Sequence, residues 1–213
     1  MKLSLTEKAI RIVYLLEQHY SLDNVGVKKT QSPFQFLAAV ILTAQSTDKQ
    51  VNSIISKLFE RFPTPKDMAE APVEEIEQYI KSVGLYKNKA RFLKKMSQIL
   101  IEKYDGEIPQ SLEELIKLPG VGRKSANVVL NDFFGIHQGI AVDTHVKRIS
   151  YRLGLTHQTD TVKIESDLKR LIPQEKWGII TKLLIAHGRA ICKAIKPRCD
   201  KCILSNLCEK KGL

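Results

Sequence analysis

Hydrophobic residues recur along most of the chain with the spacing of amphipathic helices. After Asp48, apolar residues follow at the i, i+3, i+4, i+7 and i+8 positions of one helix face, and Asp48 itself is suited to cap that helix. The segment 33–45 is a nearly continuous apolar run, which predicts a buried helix. Strand-like alternation is scarce, so the sequence predicts an all-α fold.

End signals place the other helices. Pro72 suits the first turn of a helix that reaches about Ser82, and Ser111 with Glu114 has the capping-box spacing for a short helix to Leu118. Further helices are predicted over residues 88–104, 123–134, 144–153, 161–171 and 174–191. One face of the 88–104 helix is predicted to be apolar, with Phe92, Met96, Ile99 and Leu100.

The chain is strongly basic. It has 34 Lys and Arg against 23 Asp and Glu, a net charge of +11 over 213 residues. Such an excess indicates a polyanionic partner, although a basic surface that serves only solubility is the alternative. Charged residues interrupt the first 20 positions and no apolar run reaches membrane-spanning length, so we expect an intracellular protein with no signal peptide and no membrane partner.

A glycine-rich turn, Pro119-Gly120-Val121-Gly122, precedes the predicted 123–134 helix. Glycines permit positive φ and close approach of another backbone, and a helix N-terminus favours an anion. Together with Arg123 and the net charge, this predicts a contact with nucleic-acid phosphates; an ordinary turn between two helices is the alternative.

Two side chains beside this turn could do chemistry. Lys124 lies in the first turn of the following helix and offers an amine nucleophile. Asp143 offers a carboxylate and is also suited to cap the 144–153 helix. From the residues alone, Lys124 as a simple phosphate contact remains open.

Segment 80–90 aligns with segment 116–126, 36 residues later, with Ile, Lys, Gly and Ala in common. This similarity predicts a second helical hairpin facing the same duplex, unless the match between two hairpins is accidental. One extra copy does not make a repeat architecture.

All four cysteines lie in the last 22 residues, as Cys192, Cys199, Cys202 and Cys208. Structural zinc usually takes two close cysteine pairs, whereas here only one pair is close and the outer cysteines flank it. The spacing therefore favours a [4Fe–4S] cluster, with zinc as the alternative and disulfides unlikely inside a cell. Three basic residues, Lys193, Lys196 and Arg198, fill the first interval and are candidates to contact DNA phosphates.

The order of these motifs resembles the endonuclease III family of helix-hairpin-helix DNA glycosylases and abasic-site lyases, over about residues 34–208. The resemblance implies two all-α domains with the active site in the cleft between them. Residues 24–138 would form a six-helix barrel with the helix-hairpin-helix at about 111–134. Residues 1–23 and 139–213 would form the iron–sulfur cluster domain, with the [4Fe–4S] cluster on the four cysteines.

The resemblance also implies the chemistry. Lys124 matches the family's nucleophile and Asp143 its essential carboxylate, in a bifunctional enzyme that excises oxidised pyrimidines through a Schiff base and cleaves 3′ to the abasic site by β-elimination. The alternatives are a monofunctional glycosylase for mismatched adenine or thymine, whose members carry Ser or Tyr where this chain has Lys124, and a non-catalytic DNA-binding module with a redox-sensing cluster.

The implied partner is double-stranded DNA with damaged bases or abasic sites, bound by a monomer in the cytoplasm, near the nucleoid if the source is prokaryotic. Gln45 and Leu85 match the family's wedge positions, which fill the gap left by an extruded nucleotide. His187 is expected to be a hydrogen-bonded partner near the cluster. The residues implied to contact DNA are Gln45, Leu85, Pro119, Gly120, Val121, Gly122, Arg123, Lys193, Lys196 and Arg198.

Overall fold

The computed structural model describes residues 3–23, 25–28 and 30–213. These ranges contain helices and no β-strand, which confirms the all-α prediction. None of their helices is both long and apolar enough to cross a lipid bilayer. The α-helices are α1 (Leu5–His19), α2 (Pro33–Leu42), α3 (Asp48–Arg61), α4 (Pro65–Glu70), α5 (Val73–Ile80), α6 (Tyr86–Tyr104), α7 (Leu112–Leu115), α8 (Arg123–Val129), α9 (Thr144–Leu153), α10 (Thr161–Leu171) and α11 (Trp177–Ala190). A π-helical turn, Leu130–Phe134, follows α8, and short 3₁₀ turns occupy Gln174–Lys176, Cys199–Lys201 and Ser205–Leu207.

The chain forms two compact units. The continuous unit is Gly26–Ile136, and the discontinuous unit combines Met1–Val25 with His137–Leu213. Each has its own apolar core.

The continuous unit is built around α2, which packs against α3, α6 and α8. Ser32 caps α2 by accepting a hydrogen bond from the Gln35 N–H, and Pro33 takes its first position, where no N–H is needed. Every residue from Phe34 to Leu42 is buried, because helices cover several faces of α2. The predicted buried helix therefore exists, but it ends at Leu42 and residues 43–47 form a turn.

Local signals fixed some helix ends and missed others. Thr47, not Asp48, caps α3: its hydroxyl accepts from the Gln50 N–H at 3.2 Å and Asp48 is the first helical residue. Ser111 caps α7, but the carboxylate of Glu114 bonds Tyr104 and Lys117, so only half of the expected capping box is present. The helix α7 ends at Leu115 instead of Leu118, because residues 116–120 already belong to the turn before α8.

The buried face of α6 differs from the prediction. Phe92 is 42% exposed, and the buried residues are Lys89, Ala90, Leu93, Met96, Ser97 and Leu100. Lys89 takes a core position because its amine finds hydrogen-bond acceptors there, which a hydrophobicity pattern does not register.

In the discontinuous unit, α1 packs on α10 and α11, and α9 packs on α11. Lys8 of α1 pairs with Glu209 near the end of the chain at 3.0 Å. The helices α9 and α10 have the predicted bounds, because each begins at a capping aspartate, Asp143 or Asp160.

Candidate active site and cysteine cavity

The two glycines of the predicted phosphate-binding turn differ in conformation. Gly120 has φ +78°, and a Cβ there would lie 3.1 Å from Phe92 and 3.2 Å from Ile41. Gly122 is extended, with φ −89°, and a Cβ there would meet nothing within 4 Å. Glycine permits positive φ at both positions, but it occurs only at Gly120. Val121 is buried and its backbone N–H donates to the Leu118 carbonyl at 3.1 Å, so Val121 shapes the turn, while Pro119 is half-buried.

Lys124 lies in the first turn of α8, directly after the Gly122 cap and exposed Arg123. It is half-buried, and its amine has no hydrogen-bond or ion-pair partner among the described residues of its own unit. The turn therefore presents an amine that is partly shielded from water and is not engaged by a neighbouring carboxylate.

Asp143 is half-buried in the discontinuous unit and caps α9. Its Oδ1 accepts a hydrogen bond from the Val146 N–H at 2.8 Å, which confirms the predicted cap. This bond fixes the direction of the carboxylate and leaves Oδ2 available to another group.

Both proposed wedge residues lie at tight turns with left-handed backbone. Gln45, in the turn after α2, has φ +53°, and Leu85, immediately before α6, has φ +58°. Gln45 is exposed and Leu85 is 54% exposed. An exposed leucine at a turn tip is available to contact a partner.

The four cysteines lie around one cavity of the discontinuous unit, which Arg152 and His187 also line. All four are free thiols of intermediate exposure. Within the described ranges, no three His, Cys, Asp or Glu side chains are grouped so as to hold a single metal ion. Thiolates are ligands of both zinc and iron–sulfur sites, so four thiols around one cavity are side chains that could hold a metal centre.

Comparison with known proteins agrees with this geometry. Residues 38–174 match the model of the HhH-GPD superfamily of base excision DNA repair proteins. The chain is 46% identical over 202 residues to endonuclease III of Synechocystis sp., covering 95% of this chain and 92% of that one. It is 48% identical over 189 residues to endonuclease III of Bacillus subtilis, covering 85% and 86%. This chain belongs to the endonuclease III family.

A solved structure extends the similarity to the fold. A trapped endonuclease III–DNA covalent intermediate has a TM-score of 0.85 and 43% identity, covering 98% of this chain and 97% of that one. These findings confirm the predicted enzyme class, a DNA glycosylase and abasic-site lyase of base excision repair, and with it a protein that binds DNA.

Nitrogen donors lie close to three of the four cysteine sulfurs. Arg152 Nη1 lies 3.4 Å from Cys192 Sγ, the Lys210 backbone N lies 3.4 Å from Cys208 Sγ, and His187 Nε2 lies 3.6 Å from Cys202 Sγ. Donors at these positions stabilise thiolates and tune the group that the thiolates bind. Burial raises the pKa of the Cys202 and Cys208 thiols, so these sulfurs need such help, or a bound cation, to ionise.

Burial keeps both His187 and its neighbour Tyr20 neutral at pH 7. Burial, with a smaller effect of His19, lowers the pKa of His187 to about 4, and burial, reinforced by Cys202 and Cys192, raises the pKa of Tyr20 to about 12. The Tyr20 hydroxyl and His187 Nδ1 therefore share a hydrogen bond of 2.9 Å between neutral groups, and His187 Nε2 lies 3.6 Å from Cys202 Sγ. The expectation that His187 is a hydrogen-bonded partner near the cysteines is confirmed.

The basic loop between Cys192 and Cys199 is held by two arginines of α9. Arg152, only 6% exposed, donates to the carbonyls of Lys193 at 2.7 Å and Ala194 at 2.9 Å, and Arg148 donates to the Cys192 carbonyl at 3.0 Å. Sequence analysis missed both arginines. Their i, i+4 spacing on one helix face is a signal that could have revealed them.

Within this loop, Lys193 and Lys196 are exposed, and Lys196 has φ +51°. Arg198 is exposed too, but its guanidinium donates to the Ala190 carbonyl. Arg198 thus helps to shape the loop, and the two lysines are the cations of this set that project without such a bond.

Proposed function

We propose that this protein excises oxidised pyrimidines from double-stranded DNA and cleaves the strand 3′ to the resulting abasic site, with Lys124 as the nucleophile. The observation that carries the proposal is the half-buried, unengaged amine of Lys124 directly after the glycine turn of a family member. The monofunctional relatives are expected to carry Ser or Tyr at this position, neither of which has an amine.

The bonds change in two stages. Lys124 Nζ attacks C1′ of the damaged nucleotide, the N–C1′ bond forms, and the base leaves with the electrons of the glycosidic bond and gains a proton. Ring opening gives the Schiff base. Loss of a proton from C2′ then expels the 3′ phosphate as the C3′–O bond breaks, and water finally releases Lys124. Asp143 stabilises positive charge on the sugar or transfers a proton, through the carboxylate oxygen that the Val146 bond leaves available.

DNA is held through its backbone in this proposal. The open side of Gly122 and the N–H groups of Gly120 and Gly122 receive a phosphate, with Pro119 and Val121 shaping the turn and Arg123 adding charge. The loop bearing Lys193, Lys196 and Arg198 contacts further phosphates. Gln45 and Leu85 fill the space left when the nucleotide is extruded.

The four cysteines are proposed to hold a [4Fe–4S] cluster, which supplies four metal–thiolate bonds and a redox centre. Their shared cavity and the nitrogen donors at three sulfurs support a metal–thiolate centre, and the cysteine spacing favours the cluster over a single zinc ion. Purified protein should be brown and contain about four irons per chain. A colourless protein with one bound zinc would overturn the cluster and leave the lysine chemistry untouched.

The family's domain organisation and setting are proposed with the activity. Residues 24–138 correspond to its barrel domain, and residues 1–23 with 139–213 to its cluster domain. The chain acts as a monomer on damaged or abasic duplex DNA, in the cytoplasm if its source is prokaryotic like the relatives named above. A sedimentation measurement with and without a lesion-containing duplex tests the monomer.

Borohydride trapping on abasic DNA tests the nucleophile. Wild-type protein should form a covalent adduct and Lys124→Gln should form none, because the trapped species is the reduced Schiff base. Lys95→Gln, which removes an exposed lysine of the continuous unit, is the control and should trap normally. Base release without any adduct from wild type would instead indicate a monofunctional glycosylase.

The catalytic role of Asp143 can be tested by comparing it with Asp160, an aspartate that also caps a helix. Asp143→Asn keeps the helix cap, because asparagine caps as well as aspartate, but removes the charge. We expect excision to slow by about 10²- to 10⁴-fold, the range for loss of a charge or proton-transfer group in the transition state. Asp160→Asn changes the equivalent cap of α10 and should leave the rate unchanged. Equal rates in the two variants would remove Asp143 from the mechanism.

A further inference from the structure

The turns that carry Gln45 and Leu85 are joined to each other. We call residues 43–47 and 81–85 the paired turns. The Gly84 N–H donates to Ser46 Oγ at 3.1 Å, and the Gln50 side-chain amide donates to the Ser82 carbonyl. A Cβ on Gly84 would lie 3.0 Å from the Gln45 carbonyl oxygen, so only glycine fits this approach without a shift.

Lys89 lies beneath the paired turns and contacts both. Its side chain is buried, with the residue 3% exposed, and its amine donates to the Leu42 carbonyl at 2.8 Å and to Ser46 Oγ at 3.0 Å. Its backbone N–H donates to the Leu85 carbonyl at 3.1 Å. Leu42 is the last residue of α2, so the ammonium also lies at the negative end of that helix dipole.

This lysine is costly to bury. No carboxylate pairs with it among the described residues, and burial lowers the pKa of its amine. Apolar residues of similar volume in place of buried ions often leave a fold equally stable or more stable. Stability of the fold therefore does not explain a lysine at this position. Its hydrogen bonds to the Leu42 carbonyl and Ser46 Oγ, at the first of the paired turns, suggest that it fixes the position of that turn.

The paired turns also need support. Gln45 and Leu85 both have left-handed backbone, which is unfavourable for residues other than glycine and persists only where the surroundings enforce it. Ser46 follows Gln45 and Gly84 precedes Leu85. The Ser46 hydroxyl accepts hydrogen bonds from both the Lys89 amine and the Gly84 N–H, and so links the two turns.

We propose that Lys89 is a positioning residue, which holds Gln45 and Leu85 together as one preformed wedge for nucleotide extrusion. The inference deepens the proposed function and rests on the wedge role given there to Gln45 and Leu85. A preformed wedge enters the duplex without first ordering two loops, so the ordering entropy is not lost at the moment of extrusion.

Lys89→Met tests the proposal, with Lys94→Met as the matched control. Lys94 lies on the same helix, and its amine also donates to a carbonyl at a helix end, that of Ala71, away from the paired turns. The probe is a duplex with an unreactive tetrahydrofuran abasic site opposite 2-aminopurine, a base that fluoresces when unstacked. Wild type and Lys94→Met should both give the fluorescence gain, and Lys89→Met should lose it.

Two activity measurements distinguish a misplaced wedge from a general loss of structure in Lys89→Met. Excision from a duplex by Lys89→Met should fall by about 10- to 100-fold, since a small misplacement of a supporting group can cost that much. Strand cleavage at an abasic site in single-stranded DNA needs no wedge and should be retained. Gln45→Ala combined with Lys89→Met should be little worse than either change alone, because the two act through one element.

Each failure has a distinct signature. If Gln45→Ala and Leu85→Ala leave extrusion intact, the wedge assignment is wrong and the proposal falls with it. If those variants are impaired but Lys89→Met matches Lys94→Met, the wedge stands and Lys89 does not position it. If Lys89→Met does not fold, Ser46→Ala replaces it in the test, because this change removes the hydroxyl that joins Lys89 to Gly84. Ser46→Ala must then also lose the fluorescence gain.

Discussion

At the scale of single residues, we expect alanine substitution to lower the stability of the protein at Gly120 but not at Gly122. Alanine at position 120 must adopt positive φ and press on Phe92 and Ile41, which should cost about 1–2 kcal/mol and lower Tm by roughly 3–8 °C. Alanine at position 122 keeps an ordinary φ in open space, so Tm should stay within about 2 °C.

Gly122→Ala, which should keep its stability, should instead lose affinity for DNA. The methyl group of Gly122→Ala enters the space proposed for the phosphate, so affinity for an abasic-analogue duplex should fall by about tenfold, or 1.4 kcal/mol. Thermal melting and fluorescence anisotropy measure the two effects. Unchanged affinity in Gly122→Ala would move the phosphate away from this turn.

Lys89 predicts a pH dependence of stability. Burial lowers the pKa of its amine below the ordinary 10.5, whereas the unfolded chain keeps the ordinary value. In the window between the two values the unfolded chain binds more protons, so the free energy of unfolding rises with pH there, and below that window the full cost of the buried charge is present.

Urea unfolding at several pH values checks this effect. Relative to Lys89→Met, which cannot titrate, wild type should gain stability as pH rises towards 10.5 through the window below it. Lys94→Met should show no such difference from wild type. A difference between wild type and Lys89→Met that stays constant or shrinks would contradict a lowered pKa.

At the scale of elements, α9 organises the cysteine cavity. Its residue Arg152 bonds the Cys192 sulfur and two loop carbonyls with one buried guanidinium. Arg152→Met should therefore loosen the loop 193–198 and speed the loss of iron when a chelator is added. Visible absorbance against time measures the loss. Arg170→Met, at an exposed arginine of α10, is the control, and equal rates in the two variants would refute the role of Arg152.

Elements also show what sequence can predict. The starts of α9 and α10 could be predicted because the aspartate that caps each helix directly precedes it in the sequence. The cysteine spacing and the glycine turn are equally local signals. The buried face of α6 was missed because Lys89 finds its acceptors 43 and 47 residues away, at Ser46 and Leu42. The short helix α4 was missed although its signals are local, with Thr64 and Asp67 forming a capping box and Pro65 at the first position. The roles of Arg148 and Arg152 were missed because contacts distant in sequence define them.

At the scale of the whole molecule, the charge of +11 should appear in the salt dependence of DNA binding. Each lysine–phosphate contact adds about 0.9 to the slope of log K against log salt. Lys193→Gln with Lys196→Gln should therefore reduce that slope by about 2 and weaken binding equally for all sequences. Lys57→Gln with Lys66→Gln, at exposed sites on α3 and α4, should leave the slope as in wild type. An unchanged slope in the first pair would place the loop away from the phosphates.

The discontinuous unit has a consequence for how the protein is made. Its helix α1 is synthesised before Gly26–Ile136, but its packing partners α10 and α11 and its ion-pair partner Glu209 are synthesised after that unit. Until then the apolar face of α1 has no native cover, while all residues of Gly26–Ile136 are already available to fold together. The four cysteines are also synthesised after Gly26–Ile136. A chain cut short between residues 136 and 192 would thus carry Lys124 and the glycine turn but no cysteine, so the ability to bind a metal through thiolates would distinguish chains extended past Cys208 from such fragments.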